Sequence, residues 1–470
     1  MKKKLIAANL FLLLLIGISC TKDDLSVPEE LKVNNFIWKG LNQYYLWQTD
    51  VPNLADDRFA NQDALNDFLS GYSNPTTLFN SLRVDSSIDR FSVIYSDYDV
   101  LEGILSGNTL NNGVDFGLRY KNGSSTDIFG WVRYILPNSN ASTQNIQRGD
   151  LFYAVNGTPL TASNYQSLLS ATTYTLNLAD YDNGNITPNG QSVTLTKTQL
   201  AENPVYAINT FVQGNKKIGY LMYNGFYSQY ENQLNDAFGQ LKAQNITHLV
   251  LDLRYNSGGS IATATRLASL ITGQFTGSVF AKQQWNAKLD AYWLQNNPSS
   301  IFNYFTTTTG SGSVLNSLNL TKVYILTTKS TASASELVIN GLKSYIDVIQ
   351  IGDTTTGKNV GSVTLYDSPN FGKSGANPNH KYAMQPIVLK TVNADGFGDY
   401  QNGLTATIQQ LEDYGNLGVI GDATEPLLAT AINQIITSGR IMQQPEKTFM
   451  YCSDSKTIEP LRSEMYIELK

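Results

Sequence analysis

From about residue 205 the chain alternates short apolar runs with amphipathic stretches, and that alternation limits the fold more than any other feature. KIGYLMYNGF reads as a strand, ENQLNDAFGQLKAQ as a helix, THLVLDLR as a buried strand and ATATRLASLI as a helix. KVYILTT, SELVINGLKSY and DVIQIG continue the series as strand, helix and strand. Strands joined through helices form crossover units covered on both faces, so they lose the polar alternation of a half-solvated sheet. The expectation is an α/β core over residues 204–440.

Two other textures precede it. FSVIYS, GVDFGLRY, GWVRYIL, DLFYAVNG, YTLNLAD and SVTLTKT are short alternating runs separated by Gly, Asn and Asp. They predict a small antiparallel β domain over residues 89–203. Residues 180–190 (DYDNGNITPNG) form a hairpin loop within it. Gly184 and Asn185 stand in the wrong order for a calcium-binding EF-hand loop, so no metal is expected there. Further upstream, Val33, Phe36, Ile37, Leu41, Tyr44 and Tyr45 recur three and four apart, as on one face of a helix, and NQDALNDFLSGY reads as a second helix. Residues 33–88 are thus expected to be a small helical domain. Residues 441–470 read as a polar tail with no clear period.

The first residues read as an export signal. Residues 2–4 are Lys, residues 5–18 are apolar, and the stretch is too short to span a bilayer. It closes on Gly17-Ile18-Ser19-Cys20, which is similar to a bacterial lipobox with Cys20 as the lipidated first residue of the mature chain, although Gly17 stands where Leu is usual. The alternative is an ordinary signal peptide with an incidental Cys. Lys22-Asp23-Asp24 resembles the surface-export signal of Bacteroidota lipoproteins. Residues 1–19 would be removed and residues 20–32 would be a tether. The expected location is the cell envelope, as an outer-membrane lipoprotein held by its lipid anchor.

Composition narrows the chemistry. Charged residues are 15% of the chain and the net charge is -6, so there is no broad basic footprint for nucleic acid. Two Cys and two His build neither a disulfide scaffold nor a Cys/His zinc cluster. Lipidation of Cys20 would leave Cys452 alone. A catalytic imidazole can only be His248, which opens a strand-like run, or His380, in the turn-rich NPNHKY.

Three segments carry chemistry-bearing residues. Leu251-Asp252-Leu253-Arg254-Tyr255-Asn256-Ser257-Gly258-Gly259 is a strand running into a Gly-rich turn ahead of a helix. Gly258 and Gly259 let a ligand approach the backbone, and their N–H groups can hold developing negative charge, as an oxyanion hole requires. A plain strand-to-helix turn explains the same residues. Thr331-Ala332-Ser333-Ala334-Ser335-Glu336 lies between a strand and a helix. Ser333 and Glu336 fit an S-x-x-E capping box, yet a helix start with small Ala neighbours is also a place for a nucleophile. Gly352-Asp353-Thr354-Thr355-Thr356-Gly357-Lys358-Asn359 nearly matches the phosphate-binding G-x-x-x-x-G-K-[ST] loop. Asn359 replaces the Mg²⁺-binding hydroxyl, and NVGSVTLYD after it reads as a strand where a phosphate loop needs a helix, so no nucleotide is expected. Lys358 is then a solvated turn lysine or a base. A Ser nucleophile needs a base, and with His nearly absent a Lys is the natural substitute. Such a Lys must be neutral, which burial favours. Lys358 lies in the apolar and Thr-rich VIQIGDTTTGKNVGSV, with Asp353 as its only adjacent acid.

On LDLRYNSGG, TASASE and TTGK the chain resembles the S41 peptidases, the carboxyl-terminal processing proteases. The family's serine is the first of its SASE segment and its lysine lies 25 residues later, the separation of Ser333 and Lys358. KIGYLMYNGF, NADGFGDYQNGLTATIQQ and LGVIGDATEPLLATAI also look like family features, and the likeness spans about residues 33 to 440. It implies a crotonase/ClpP-like α/β protease core, a PDZ domain before it (the β domain above) and a helical N-terminal segment. Gly113-Val114-Asp115-Phe116-Gly117-Leu118 is similar to the PDZ carboxylate-binding turn, which implies Gly113, Val114, Phe116, Gly117 and Leu118 as substrate-binding residues. Arg148-Gly149-Asp150 to Gly157 is similar to the segment that follows in such domains. PDZ domains take peptides by strand addition.

By the same likeness Ser333 is the nucleophile and Lys358 the general base, with the Ala334 N–H and one of Gly258 or Gly259 as oxyanion donors. Two positions depart from the family pattern. The Gln that many members carry four residues after the Lys is Ser362 here, and the Asp that some carry eleven residues after the Ser is Ser344. Ser362 is then the expected, weaker orienting group. The resemblance implies a serine endopeptidase that needs no cofactor or metal and acts on polypeptides through their C-terminal tails; the export signal would make it membrane-anchored, and the charge balance points to no nucleic-acid partner. The alternative is a catalytically inactive S41-like lipoprotein that binds a peptide or another ligand.

Overall fold

A computed structural model describes residues 27–437, 449–458, 461 and 464–468. The export signal, Cys20 and the Lys22-Asp23-Asp24 run lie outside these residues. The chain divides into two units, Met1–Ser96 with Thr364–Ile387, and Asp97–Val363 with Val388–Lys470.

In the first unit the three-and-four spacing becomes the helix Lys32–Tyr44, which buries Phe36, Ile37 and Leu41. The helices Gln62–Ser70 and Pro75–Ser81 follow. Asn61 and Asn74 cap them, their side-chain oxygens accepting first-turn N–H groups that the helix itself cannot satisfy. Short antiparallel strands, Val93–Tyr95, Ala383–Gln385 and Leu365–Tyr366, complete this unit.

The second unit contains an antiparallel sheet in the order Tyr451–Asp454, Val114–Tyr120, Ile128–Ile135, Leu151–Val155, Thr173–Asp182 and Asn185–Thr196. Its core includes Phe116, Leu118, Val132, Phe152, Leu176 and Leu195. The expected loop at 180–190 is mostly strand. Asn183 and Gly184, at φ 48° and 96°, turn the chain in two residues, as the right-handed twist of a hairpin favours.

The α/β region forms a six-stranded sheet, in the order Val205–Gln213, Lys216–Tyr223, His248–Asp252, Lys322–Thr327, Asp347–Gly352 and Ile408–Gln409. All neighbours are parallel except the first pair. The helix Pro426–Thr437 lays Leu427, Leu428 and Ile432 on Ile218, Val250 and Leu326. Each fully buried Leu or Ile there contributes about 1.5–3 kcal/mol. A further sheet runs Gly259–Ser260, Met465–Ile467, Val360–Val363, Ile387–Asn393, Val279–Trp285 and Phe302–Tyr304. The architecture is the mixed α/β multidomain one expected. The departure is in the supposed tail, where Tyr451–Asp454 and Met465–Ile467 are strands built into two different sheets.

Candidate active site

His248–Asp252, Lys322–Thr327 and Asp347–Gly352 are adjacent parallel strands, so their C-terminal ends open on one side. Crevices at such strand ends are where open α/β sheets take ligands. Beyond the first strand, Asn256 pins the Gly-rich turn. Its Nδ2 donates to the Tyr223 carbonyl at 2.8 Å, and its Oδ1 accepts the Gly258 N–H at 2.9 Å. Its own carbonyl accepts the Ala332 N–H and the Ser335 hydroxyl, tying this turn to the Ser333 loop. Gly258 and Gly259 have φ of 117° and 136°. A Cβ on Gly258 would meet Ser333 Cβ at 2.6 Å, and one on Gly259 would meet the Phe226 carbonyl at 2.5 Å. Only glycine fits either position. Phe226 bonds to the Gly258 carbonyl and the Ser260 N–H. The N–H and C=O of Gly259 itself therefore face the other way, towards Met465.

Beyond the second strand, Ser333 is fully buried at the N-cap of the helix Ala334–Leu342, with φ 66° and ψ −118°. A side-chain-bearing residue held there stores about 1–3 kcal/mol of strain, and a serine on a sharp strand-to-helix turn is the geometry of a nucleophile elbow. Glu336 occupies N3 of the capping box. Its Oε2 accepts the Ser333 N–H at 2.7 Å and the Lys358 N–H at 2.8 Å. Its Oε1 accepts the Gly357 N–H at 2.7 Å and the Thr355 hydroxyl. Burial pushes this carboxyl's pKa above the usual range, and the four donors work against that rise. The Ser333 side chain faces the N3 amide in the capping box, but Oγ reaches no ordinary hydrogen-bond geometry with any described group. Ala334 begins the helix, so its N–H has no intrahelical acceptor.

Beyond the third strand, Lys358 is fully buried. Its Nζ lies 2.9 Å from Glu464 Oε2, an ion pair by distance rather than an aligned hydrogen bond. Ser362 Oγ donates to the same oxygen at 2.8 Å. The structure thus gathers Gly258, Gly259, Ser333, Ala334, Lys358 and Ser362 at one end of the sheet, but no Ser333–Lys358 hydrogen bond is formed. The phosphate-loop resemblance fails as expected, because Lys358 leads into the strand Val360–Val363. Ser344 lies past the C-terminal end of its helix, away from Ser333. Neither His is idle: His248 Nδ1 bonds to the Thr247 hydroxyl, and His380 Nε2 pairs with Asp367 at 2.9 Å.

At the expected carboxylate-binding turn the backbone donors have partners within the chain. The Gly113 N–H donates to Asn111 Oδ1 at 2.6 Å and the Val114 N–H to Asn112 Oδ1 at 3.1 Å, so these donors are already committed. Phe116 and Leu118 belong to the sheet core. Gly117 makes room for an indole, since a Cβ there would meet Trp131 at 2.0 Å. The Phe116 backbone is engaged on both sides by Ser455, whose N–H donates to its carbonyl at 2.9 Å. Sequence reasoning missed Glu464 entirely, because nothing local distinguishes it. It read Glu336 as a helix cap alone, although the S-x-x-E spacing did single that residue out.

Residues 217–372 match the model of peptidase family S41 and residues 32–93 match that of the peptidase S41 N-terminal domain. The carboxyl-terminal-processing protease of Picosynechococcus sp. is similar, with 23% identity over 236 residues, covering 47% of this chain and 52% of that protein. The chain spans about half the length, or less, of the curated relatives it matches. Among solved structures, a Bacteroides fragilis protein assigned to the S41 proteases is 25% identical with a TM-score of 0.65, covering 86% of this chain and 98% of that one. The photosystem II D1 C-terminal processing protease shares the fold at 17% identity and a TM-score of 0.50, covering 83% of this chain and 95% of that one.

Proposed function

We propose that this chain is a serine endopeptidase of the carboxyl-terminal processing type, with Ser333 as nucleophile and Lys358 as general base. The observation that carries the reading is Glu336. One of its oxygens binds the N–H of both Ser333 and Lys358, so the two backbones are less than two hydrogen-bond lengths from each other. In the reaction Ser333 Oγ attacks the peptide carbonyl and its proton passes to Lys358 Nζ. Negative charge grows on the carbonyl oxygen, and the N–H groups of Ala334 and Gly259 stabilise it. In this structure the Gly258 N–H is held by Asn256 and the Gly259 N–H faces the Met465 strand, so the Gly259 amide serves as a donor once that strand gives way to substrate. The departing amine takes the proton from Lys358, and water then hydrolyses the acyl-enzyme with Lys358 again as base. Ser362 is a positioning residue rather than a direct participant. We further propose that Cys20 carries a lipid that anchors the protein to the cell envelope, and that the antiparallel sheet is a PDZ-like module for polypeptide substrates.

An inactive S41-like binding protein is the second reading. It is favoured by the Lys358–Glu464 pair, since a carboxylate beside an ammonium favours its charged form. Labelling with a serine-reactive fluorophosphonate separates the two readings, because a binding protein leaves Ser333 unlabelled. For the peptidase, Ser333→Ala and Lys358→Ala each abolish turnover, and the double variant is no worse because the pair acts as one unit. Lys358→Arg is also dead, since guanidinium stays protonated. The wild-type rate rises with pH as Lys358 loses its proton. Full peptidase activity in Lys358→Ala would refute the dyad.

A further inference from the structure

The segment after residue 449 follows the path a peptide substrate would take. Tyr451–Asp454 adds antiparallel to the outer edge of Val114–Tyr120, pairing Tyr451 with Arg119 and Asp454 with Gly117. It therefore runs towards the Gly113 turn, and Ser455 continues the pairing at Phe116. Adding a strand to an open sheet edge is a common way to bind extended peptides. Ser455 and Ile458 also line a small cavity shared with Val114, Phe116, Leu169 and Tyr174.

Two buried charges fasten this stretch. Asp454 lies 3.3 Å from Arg133 Nη1 and accepts the Ser330 hydroxyl at 2.6 Å, three residues before Ser333. Lys456 Nζ donates to the carbonyls of Asn224 and Tyr255 at 2.9 and 3.0 Å. Further on, Met465–Ile467 fills the slot between Gly259–Ser260 and Val360–Val363, parallel to both. The Gly259 amide proposed to meet a substrate carbonyl faces this strand. A Cβ on Gly258 would meet Ser333 Oγ at 2.7 Å and the Glu464 carbonyl at 2.9 Å, so the residue that leads into the strand and the hydroxyl border the same small space. Glu464 places its carboxylate on Lys358, and Ser333 is fully buried.

We propose that the strands Tyr451–Asp454 and Met465–Ile467, with Asp454, Lys456 and Glu464, are a built-in inhibitor that occupies the peptide site. Its ligand class is an extended polypeptide strand, and the resident ligand is this chain itself. The strap blocks strand addition at the sheet edge, fills the slot beside Gly259 and holds Lys358 as an ammonium that cannot act as a base. A substrate must displace it. The consequence for activity rests on the peptidase reading, whereas the docking of the strap does not.

The test compares the full chain with Tyr466→Pro, which removes a ladder donor from a central strand without touching Ser333 or Lys358. The readouts are the rate of Ser333 labelling by a fluorophosphonate and amide hydrogen exchange across 465–467 and across the core strands. The expected result is labelling at least tenfold faster in Tyr466→Pro, exchange protection lost at 465–467 and kept in the core, and labelling slowed again by an added synthetic peptide of residues 449–470. An unchanged labelling rate in a variant with intact core protection overturns the proposal. If neither form is labelled, the peptidase reading falls. Anisotropy of the labelled 449–470 peptide then decides the docking: binding to Tyr466→Pro upholds it and no binding overturns it. If Tyr466→Pro loses core protection, Glu464→Ala takes its place in the same comparison. Loss of core protection in both makes the strand a permanent part of the fold and ends the idea of a strap.

Discussion

At Ser333 the backbone is held at φ 66° and ψ −118° by bonds on several sides, chief among them the Glu336 carboxylate on its N–H. Such a conformation persists only where its surroundings over-determine it. Glycine adopts it without the Cβ clash and costs only a few tenths of a kcal/mol as an N-cap replacement. Ser333→Gly is therefore expected to stabilise the protein by about 1 kcal/mol while abolishing activity. Ser333→Ala, which keeps the Cβ, gains nothing comparable. Denaturant midpoints at an unchanged m-value report this. A midpoint for Ser333→Gly below that of the wild type would remove the strain account. Ser333 and Lys358 stood out in the sequence because each lies in a short local motif. The partner of Lys358 did not, because Glu464 meets it only through space.

The strand His248–Asp252 and the helix Pro426–Thr437 are joined by a buried charge cluster. Arg254 binds Glu425 through two nitrogens at 2.6 and 2.9 Å and Asp252 at 2.8 Å, and Tyr220 donates to Asp252 at 2.7 Å. Glu425 also accepts the Leu428 N–H at 2.8 Å, which starts the helix. Burial alone would raise the Glu425 pKa, but the Arg254 charge and these bonds hold it below the usual carboxylate range. A folded pKa below the unfolded one means this group's stabilisation is fully present above about pH 4.3. It is lost as pH falls through the lower folded value. Glu425→Gln leaves Arg254 with less counter-charge and is expected to cost about 3–5 kcal/mol at neutral pH. It should also flatten the fall in stability between pH 4.3 and the acid-unfolding midpoint. An unchanged acid slope in the variant would show that other carboxylates carry that dependence. The helices and strands joined by this cluster were legible from their periodicity, but the pairing of Arg254 with Glu425, 171 residues away, was not.

For the whole molecule, the lipid anchor proposed at Cys20 predicts that anchoring and folding are separable, because acyl chains bind the bilayer and not the protein core. Cys20→Ala is expected to move the protein from the membrane fraction to the soluble one, since several acyl chains rather than one give a stable anchor. Its melting temperature should stay that of the wild type. Equal membrane association of variant and wild type would end the lipid-anchor proposal. Among the described residues no helix is long and apolar enough to cross a membrane.

The sequence by itself determined the order of strands and helices, because periods of two and 3.6 residues are written locally and need no partner to be read. It also singled out Ser333, Lys358 and the Gly258-Gly259 turn, each of which stands in a short local motif. Tertiary structure alone decided which groups surround them. Strands of three or four residues, such as Met465–Ile467, are too short to show a period, and only the hydrogen bonds of a neighbouring sheet hold them in place. A buried charge such as Lys358 needs an opposite one, and the chain can supply it from any distance. Ser362 and Glu464, which meet beside Lys358, are 102 residues apart. Proximity of that kind is set by how the sheets pack, a property of the folded chain that no local stretch of sequence contains.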